Sequence, residues 1–273
     1  MTTMSAKQLL IFDSGVGGLS IFQEVIKRAQ HINCYYLSDN AYFPYGELEE
    51  TALISRLTEL LTQFVAKYPV DMIVIACNSA STIALTALRE SFSIPIVGVV
   101  PAIKPANLMT CNGIIGLVAT PATIKREYTQ TLVDEFASDK TVLKLGSTEL
   151  VKLAEEKLQG KVVDKERLKH IFQPWLTLKI KPDTLVLGCT HFPLLKAEIS
   201  ECFNGQVKLV DSGEAIANRV VALLADNKPS LSIQSNPIYD AFYTLRDDKQ
   251  LSLEGAFLKI GFESFLLFDD SSL

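Results

Sequence analysis

The sequence predicts an α/β protein built on parallel sheets. Short apolar runs rich in β-branched residues alternate from end to end with longer amphipathic stretches, the pattern of strands joined by crossover helices. The densest polar clusters directly follow those runs, where parallel sheets carry their functional loops. Two of these clusters, Ala76-Cys77-Asn78-Ser79 and Gly188-Cys189-Thr190-His191, look like copies of each other.

Taken in order, the first strand is read over 8–12, where the run from Leu9 to Phe12 stops at Asp13. Helical spacing comes next over 18–29, then a strand at 33–38, a helix over 48–67, a strand at 71–76, a helix over 80–91 and a strand at 95–100. The same alternation continues with a strand at 113–118, a helix over 122–136, a strand at 141–145, a helix over 164–178, strands at 184–188 and 207–210, and a helix over 213–225. After Asn227-Lys228-Pro229-Ser230 the pattern changes to a short strand at 239–245 and an apolar helix over 256–268, read together as a C-terminal appendage that packs on the domain. Aligned on Cys77 and Cys189, Lys67 and Lys179 both lie ten residues upstream, Asp71 and Asp183 six, and Val74 and Val186 three, whereas Pro69 and Pro182 are out of register by one. Either two half-chains are built alike, or strands before such turns simply share a pattern.

With 273 residues, 48% of them hydrophobic and 21% charged, the chain can bury a large core; disorder, collagen and small disulfide scaffolds are excluded. Lys and Arg number 26 against 31 Asp and Glu, a net charge of −5 that supplies no field for gripping nucleic acid or an anionic membrane. A small molecule is the expected partner. The polar stretch 1–8 and the short run after it contain no signal-peptide core or membrane span, so a cytoplasmic location is expected. Five cysteines and three histidines without CxxC or HxxxH spacing argue against a disulfide framework or a bound metal. In a reducing compartment each thiol is either a small core side chain or a reactive group.

Cys77 and Cys189 each stand where a strand ends and a helix is expected to begin, a place where backbone N–H groups and the helix dipole can lower a thiol pKa from about 8.5 towards neutrality. Cys34 in a strand, Cys111 in a loop and Cys202 on a helix read as structural. Two matched thiols suit the inversion of a carbon acid, where one base removes a proton and the opposing acid returns one on the other face. A Cys–His dyad of Cys189 with His191 would explain only half of the pattern.

Four further features remain open between a local and a functional role. Gly15 to Ser20 is one residue short of a dinucleotide fingerprint, with Asp39 near the position expected for a ribose contact. Asp13, at the strand end, would repel a pyrophosphate but suits a substrate ammonium group or a neighbouring thiol; its plain role is an Asx-turn or helix cap. The loop from Ser38 to Gly46 is either a surface turn or a rigid wall whose backbone N–H groups hold a carboxylate. Val118 to Thr123 opens a helix with Pro in its first turn, offering donors to an anion or only a cap.

Together the motifs resemble the glutamate racemase family of the aspartate/glutamate racemase superfamily: Asp-Ser-Gly-x-Gly-Gly-x-Ser at 13–20, the Asp39 to Gly46 loop, Ala-Cys-Asn-Ser-Ala at 76–80, Thr-Pro-Ala-Thr at 120–123 and Gly-Cys-Thr-His-Phe-Pro at 188–193, in the family's order over about 8–225. The resemblance implies that Cys77 and Cys189 are acid/base thiols. It also implies that Asp13, Ser14, Tyr45, Gly46, Asn78, Ser79, Thr120, Thr190 and His191 bind the substrate. Asp13 would assist Cys77, and His191 with an acid, Glu155 or else Glu149, would assist Cys189. Ser79 stands where the family usually has Thr and retains the hydroxyl. The implied fold is two doubly wound parallel-sheet domains, 1–100 plus 210–273 and 101–209, facing each other across the active site. The implied reaction interconverts L- and D-glutamate with no cofactor, in a cytoplasmic homodimer that supplies peptidoglycan synthesis. The alternatives are an aspartate or hydantoin racemase of the same superfamily, a nucleotide-dependent oxidoreductase using Gly15 to Ser20, and a non-catalytic binding protein on the same fold.

Overall fold

The computed structural model describes residues 6–225 and 236–269. The chain divides into two compact units, 1–99 with 213–273 and 100–212. The first opens with β1 (Gln8–Asp13), α1 (Leu19–Arg28), β2 (Asn33–Ser38), α2 (Glu50–Lys67), β3 (Met72–Ile75), α3 (Asn78–Ser91) and β4 (Ile96–Gly98). The second contains α4 (Ile103–Met109), β5 (Ile114–Ala119), α5 (Pro121–Lys125), α6 (Glu127–Phe136), β6 (Thr141–Gly146), α7 (Glu149–Leu158), α8 (Lys165–Leu176), β7 (Thr184–Leu187), α9 (Lys196–Cys202) and β8 (Lys208–Val210). The chain then returns to the first unit with α10 (Gly213–Ala225), β9 (Tyr239–Tyr243), α11 (Asp248–Leu251), α12 (Glu254–Ile260) and β10 (Ser264–Leu267). Among the described residues no helix is long and apolar enough to cross a membrane.

Every strand pairing is parallel, in the order β10-β9-β2-β1-β3-β4 in the first unit and β6-β5-β7-β8 in the second. Helices cover both faces of such sheets, so central strands must be apolar throughout. All four residues of β3 and all four of β7 are accordingly buried. In the first unit α2 lays Leu53, Leu57, Leu60, Leu61 and Phe64 as one stripe against Leu10, Phe12, Ile73 and Ile75. Truncating one such leucine to alanine costs about 2–5 kcal/mol. In the second unit Ile103 and Ala106 of α4 and Val133 of α6 close over Ile115, Leu117 and Val186.

The copied cysteine segments reflect a copied framework. Setting β9 and β10 aside, both sheets run second, first, third, fourth strand. Asp71, just before β3, accepts from the Lys7 Nζ at 2.8 Å and the Gln8 N–H at 2.9 Å, fixing the start of β1. Asp183, just before β7, accepts from the Thr110 hydroxyl at 2.7 Å and the N–H groups of Cys111 and Asn112 at 2.7 and 2.8 Å, fixing the start of β5. At the far ends Ala76 N–H donates to the Phe12 carbonyl at 2.7 Å, and Gly188 N–H to the Val118 carbonyl at 2.8 Å.

Three readings of the sequence need correction. The helix expected over 122–136 is broken at Arg126 into α5 and α6. The helix expected over 256–268 ends at Ile260, because Gly261 takes the left-handed conformation with φ of 114° and the chain continues as β10. An apolar run of that length suits helix or strand, and pairing with β9 decides it. The C-terminal segment is also no appendage, since β9 pairs along β2 from Cys34 with Tyr239 to Ser38 with Tyr243 and widens the first sheet. Residues 227–230, where the pattern changes, lie outside the described residues. Helices α4, α7 and α11 fall outside the expected helical stretches and α9 is foreseen only at Cys202, although Leu150, Val151, Leu153 and Ala154 of α7 carry the buried helical spacing.

Burial alone would raise the Asp183 carboxyl pKa, but donation from Thr110, Asn112, Cys111 and Thr184 wins and holds it below the ordinary value. Its stabilising effect is therefore full above the unfolded-state pKa of about 3.9 and lost as pH falls through the lower folded value. Asp183→Ala is expected to cost about 1–3 kcal/mol at pH 7. Urea denaturation of wild type and variant should show that gap closing only in acid below the ordinary carboxylate range.

Candidate active site

In the first unit β1 and β3 are neighbours, with Phe12 beside Ile75, so the residues after each strand emerge together. Asp13 is fully buried and accepts the Gly15 N–H at 2.7 Å, the Asx-turn of the loop. Ser14 Oγ lies 3.9 Å from Cys77 Sγ. The turn is tight: a Cβ on Gly18 would stand 2.9 Å from the Tyr36 hydroxyl, 3.0 Å from Asp13 Cβ and 3.1 Å from Ala76 Cβ. Gly18 is thus required by packing, and Tyr36 holds the same turn by donating to the Gly15 carbonyl at 2.8 Å.

Cys77 is the N-cap of α3, a helix of 14 residues. The first N–H groups of that helix have no intrahelical acceptor and favour an anion in front of them. Asn78 and Ser79 are buried beside it, and Asn78 Nδ2 has no hydrogen-bond partner among the described residues. A buried donor left unpaired costs about 1–3 kcal/mol, a cost that an arriving acceptor removes.

The loop after β2 is held from within. The Asp39 carboxylate is fully buried and accepts from Arg56 Nε at 2.8 Å, Arg56 Nη2 at 2.7 Å, the Tyr45 hydroxyl at 2.5 Å and the Thr244 hydroxyl at 2.7 Å. Two oxygens with four donors have no acceptor site left for a sugar. The expectation that Asp39 could meet a ribose is therefore overturned. Burial, reinforced by the Asp39 charge, pushes the Tyr45 hydroxyl pKa well above its ordinary value. Tyr45 and Gly46 open a 3-10 turn whose first N–H groups have no acceptor within the turn.

In the second unit β7 leads through Gly188 to Cys189, Thr190 and His191. A Cβ on Gly188 would lie 3.1 Å from Ala119 Cβ and from the Val118 carbonyl, so glycine lets this strand end press against β5. Unlike Cys77, Cys189 does not stand at the start of an α-helix: a four-residue 3-10 turn, Phe192–Leu195, comes next, and α9 begins at Lys196. The helix dipole expected at Cys189 is absent because Pro193 and the turn intervene. Its neighbour is instead His191, with Nδ1 3.8 Å from Cys189 Sγ and Nε2 2.8 Å from Glu155 Oε1. A carboxylate only accepts, so Glu155 holds a proton on Nε2 and turns Nδ1 to the thiol, where it can take the Cys189 proton.

Of the two acids left open by sequence, Glu155 meets His191, and Glu149 pairs instead with Arg167 Nε at 2.8 Å. Their six-residue spacing on α7 separates them by about 120° around the helix axis. Thr120 caps α5: its hydroxyl accepts the Thr123 N–H at 3.3 Å and donates to Thr123 Oγ1 at 2.9 Å. Thr190 is buried next to Cys189. Arg56 and Thr244 do not stand out in the sequence. The available signal is a lone cation inside the apolar stripe of α2, between Leu53 and Leu57.

A family model for Asp/Glu/hydantoin racemases matches residues 19–220. The chain belongs to the Asp/Glu/hydantoin racemase family. Within it, the glutamate racemase of Vibrio vulnificus (strain YJ016) is 48% identical over 268 residues, covering 98% of this chain and 99% of that protein. The crystal structure of Escherichia coli glutamate racemase with L-glutamate and the activator UDP-MurNAc-Ala matches at a TM-score of 0.91 and 43% identity, over 97% of this chain and 99% of that one. Francisella tularensis glutamate racemase, crystallised with D-glutamate, matches at a TM-score of 0.78 and 25% identity over 98% and 99% of the two chains.

Among the remaining thiols, burial pushes Cys34 far above its ordinary pKa and raises Cys202, whereas Cys111 is exposed. Native protein treated with iodoacetamide at pH 8 should be labelled rapidly at Cys111 and not at Cys34 until denaturant is added, as read by peptide mass.

Proposed function

We propose that this chain is a glutamate racemase that inverts the α-carbon by proton transfer between two thiols, Cys77 and Cys189, without a cofactor. The observation that carries this reading is the pair of buried thiols at matched strand ends, each beside its own polar neighbour: Ser14 for Cys77, the His191–Glu155 pair for Cys189. One thiolate removes the α-proton, and the thiol on the opposite face delivers its own. The α-carbanion would be stabilised by the first N–H groups of α3, the buried Asn78 Nδ2 and the N–H groups of Tyr45 and Gly46. Donors of this kind are worth about 2.7–4 kcal/mol each in other enzymes. Asp13 and the 3-10 turn at Tyr45 provide the contrast of charge needed to orient ammonium and carboxylate groups.

The substrate assignment rests on membership of the family and on the glutamate racemases that match nearly the whole chain. The product, D-glutamate, would serve peptidoglycan synthesis in the cytoplasm, and the assembly would be a homodimer, to be read by sedimentation. Circular dichroism of L-glutamate and L-aspartate solutions with the purified enzyme and no added cofactor tests the central claim. Loss of signal with glutamate alone is expected, and loss with aspartate alone would move the chain to another branch of the family.

Cys77→Ser and Cys189→Ser should each abolish racemisation, while elimination from a β-substituted glutamate, which needs one base, survives in at least one of them. Full racemisation by either variant would sink the two-base assignment. Glu155→Gln should lower kcat/KM about a hundredfold, within the range of positioned proton-transfer groups, and Glu149→Gln by no more than about twofold. Because the equilibrium constant of a racemisation is one, the loss in kcat/KM must be equal from L- and from D-glutamate, a check on every variant.

A further inference from the structure

The Asp39 network is built more heavily than a surface loop needs, and its parts come from three separate stretches of chain. Arg56 lies on α2, Tyr45 in the loop, and Thr244 just beyond β9. The same loop is gripped again at Asn40, whose Nδ2 donates to the Leu245 carbonyl at 2.7 Å and whose Oδ1 accepts the N–H groups of Thr244 and Leu245 at 2.9 Å each. Ala41 N–H donates to Thr244 Oγ1 at 3.2 Å, so this hydroxyl both accepts from the loop and donates to Asp39. The Arg56 guanidinium also lies 4.5 Å from the Tyr42 ring centroid, and the Tyr45 ring sits 5.9 Å from that of Phe12. The part of the loop that leads into Gly46 is thereby tied inward at Asp39, Asn40, Ala41, Tyr42 and Tyr45.

A buried ion pair is weak evidence for stability, because desolvation offsets much of its attraction. A forked guanidinium on a carboxylate does, however, fix distance and angle. The Tyr45 hydroxyl is committed to Asp39, so what the loop can present to a ligand is its backbone. We propose that Asp39, Arg56 and Thr244 are positioning residues that set the Tyr45 and Gly46 N–H groups for a substrate carboxylate, with the end of β9 acting as a clamp on that loop. The inference rests on the racemase reading above. It assigns to the segment after β9 a part in substrate affinity.

The test is steady-state kinetics with glutamate on the full-length enzyme, with melting temperature measured alongside. Arg56→Lys keeps the charge and removes the fork; it is expected to raise KM about tenfold while kcat changes less than threefold. Thr244→Val, on a different element, should raise KM about threefold. Leu57→Ala, in the core on the same helix as Arg56, is the structural control: it should lower the melting temperature and leave KM within twofold of wild type. A merely structural role for the network would reduce the active fraction, and hence Vmax, without moving KM. The proposal is overturned if Arg56→Lys and Thr244→Val both keep wild-type KM, or if Leu57→Ala raises KM as much as they do. Wild-type enzyme that fails to racemise glutamate would instead overturn the reaction assignment and is scored separately.

Discussion

The candidate chemistry depends on the parallel register of two strand pairs, β1 with β3 and β5 with β7. Each thiol lies two residues beyond the last residue of β3 or β7, and what it meets is decided by how far the neighbouring strand has run. The register is fixed at both ends of each pair. Asp71 and Asp183 hold the beginnings, and the N–H groups of Ala76 and Gly188 close the far ends onto the carbonyls of Phe12 and Val118. A slip of one residue would turn every side chain of the strand to the other face, and Cys77 would lose Ser14. The two acids remote from the thiols therefore act on the site through the ladder.

On that shared frame the two halves solve thiol activation differently. Cys77 caps an α-helix of 14 residues, whose unpaired N–H groups favour the thiolate. Cys189 precedes only a four-residue 3-10 turn and has an imidazole and a carboxylate in line instead. The β5 residue in the place of Asp13 is Ala119, so no carboxylate comes from that strand. Its absence is compensated from α7, where Glu155 is buried and bonded to His191.

Much of this was legible because it is local. The strands reveal themselves as apolar runs, and the thiols as polar interruptions directly after two of them. The likeness of 67–77 to 179–189 was legible as well, since Asp71 and Asp183 do the same work at the same spacing. What was not legible is tertiary. Glu155 over Glu149 is decided by which face of α7 points to His191, and α7 itself does not announce its boundaries. The break at Arg126 and the switch from α12 to β10 depend on which surface the chain finds next, which a hydrophobic run does not encode. Of the partners of Asp39 only Tyr45 is near in sequence; Arg56 and Thr244 lie 17 and 205 residues away.

The two halves differ most in the connection that leaves the second strand of each sheet. After β6 only Ser147 and Thr148 precede α7, and the chain goes straight into the helix that brings Glu155. After β2 a long loop carries Tyr45 and Gly46 before α2 begins at Glu50. A loop of that length has conformational freedom that must be removed for its N–H groups to be aimed, at about 1–2 kcal/mol per residue ordered. Among the described residues only the first sheet has strands beyond its second, and the pairing of β9 along β2 delivers Thr244 and Leu245 to the loop. β9 thus gives β2 a neighbour that β6 lacks among the described residues, and the extension of the sheet is the counterpart of the extension of the loop. Where the second unit places a carboxylate by a short connection, the first places a row of backbone donors by a long one, and the added strand makes the long one rigid.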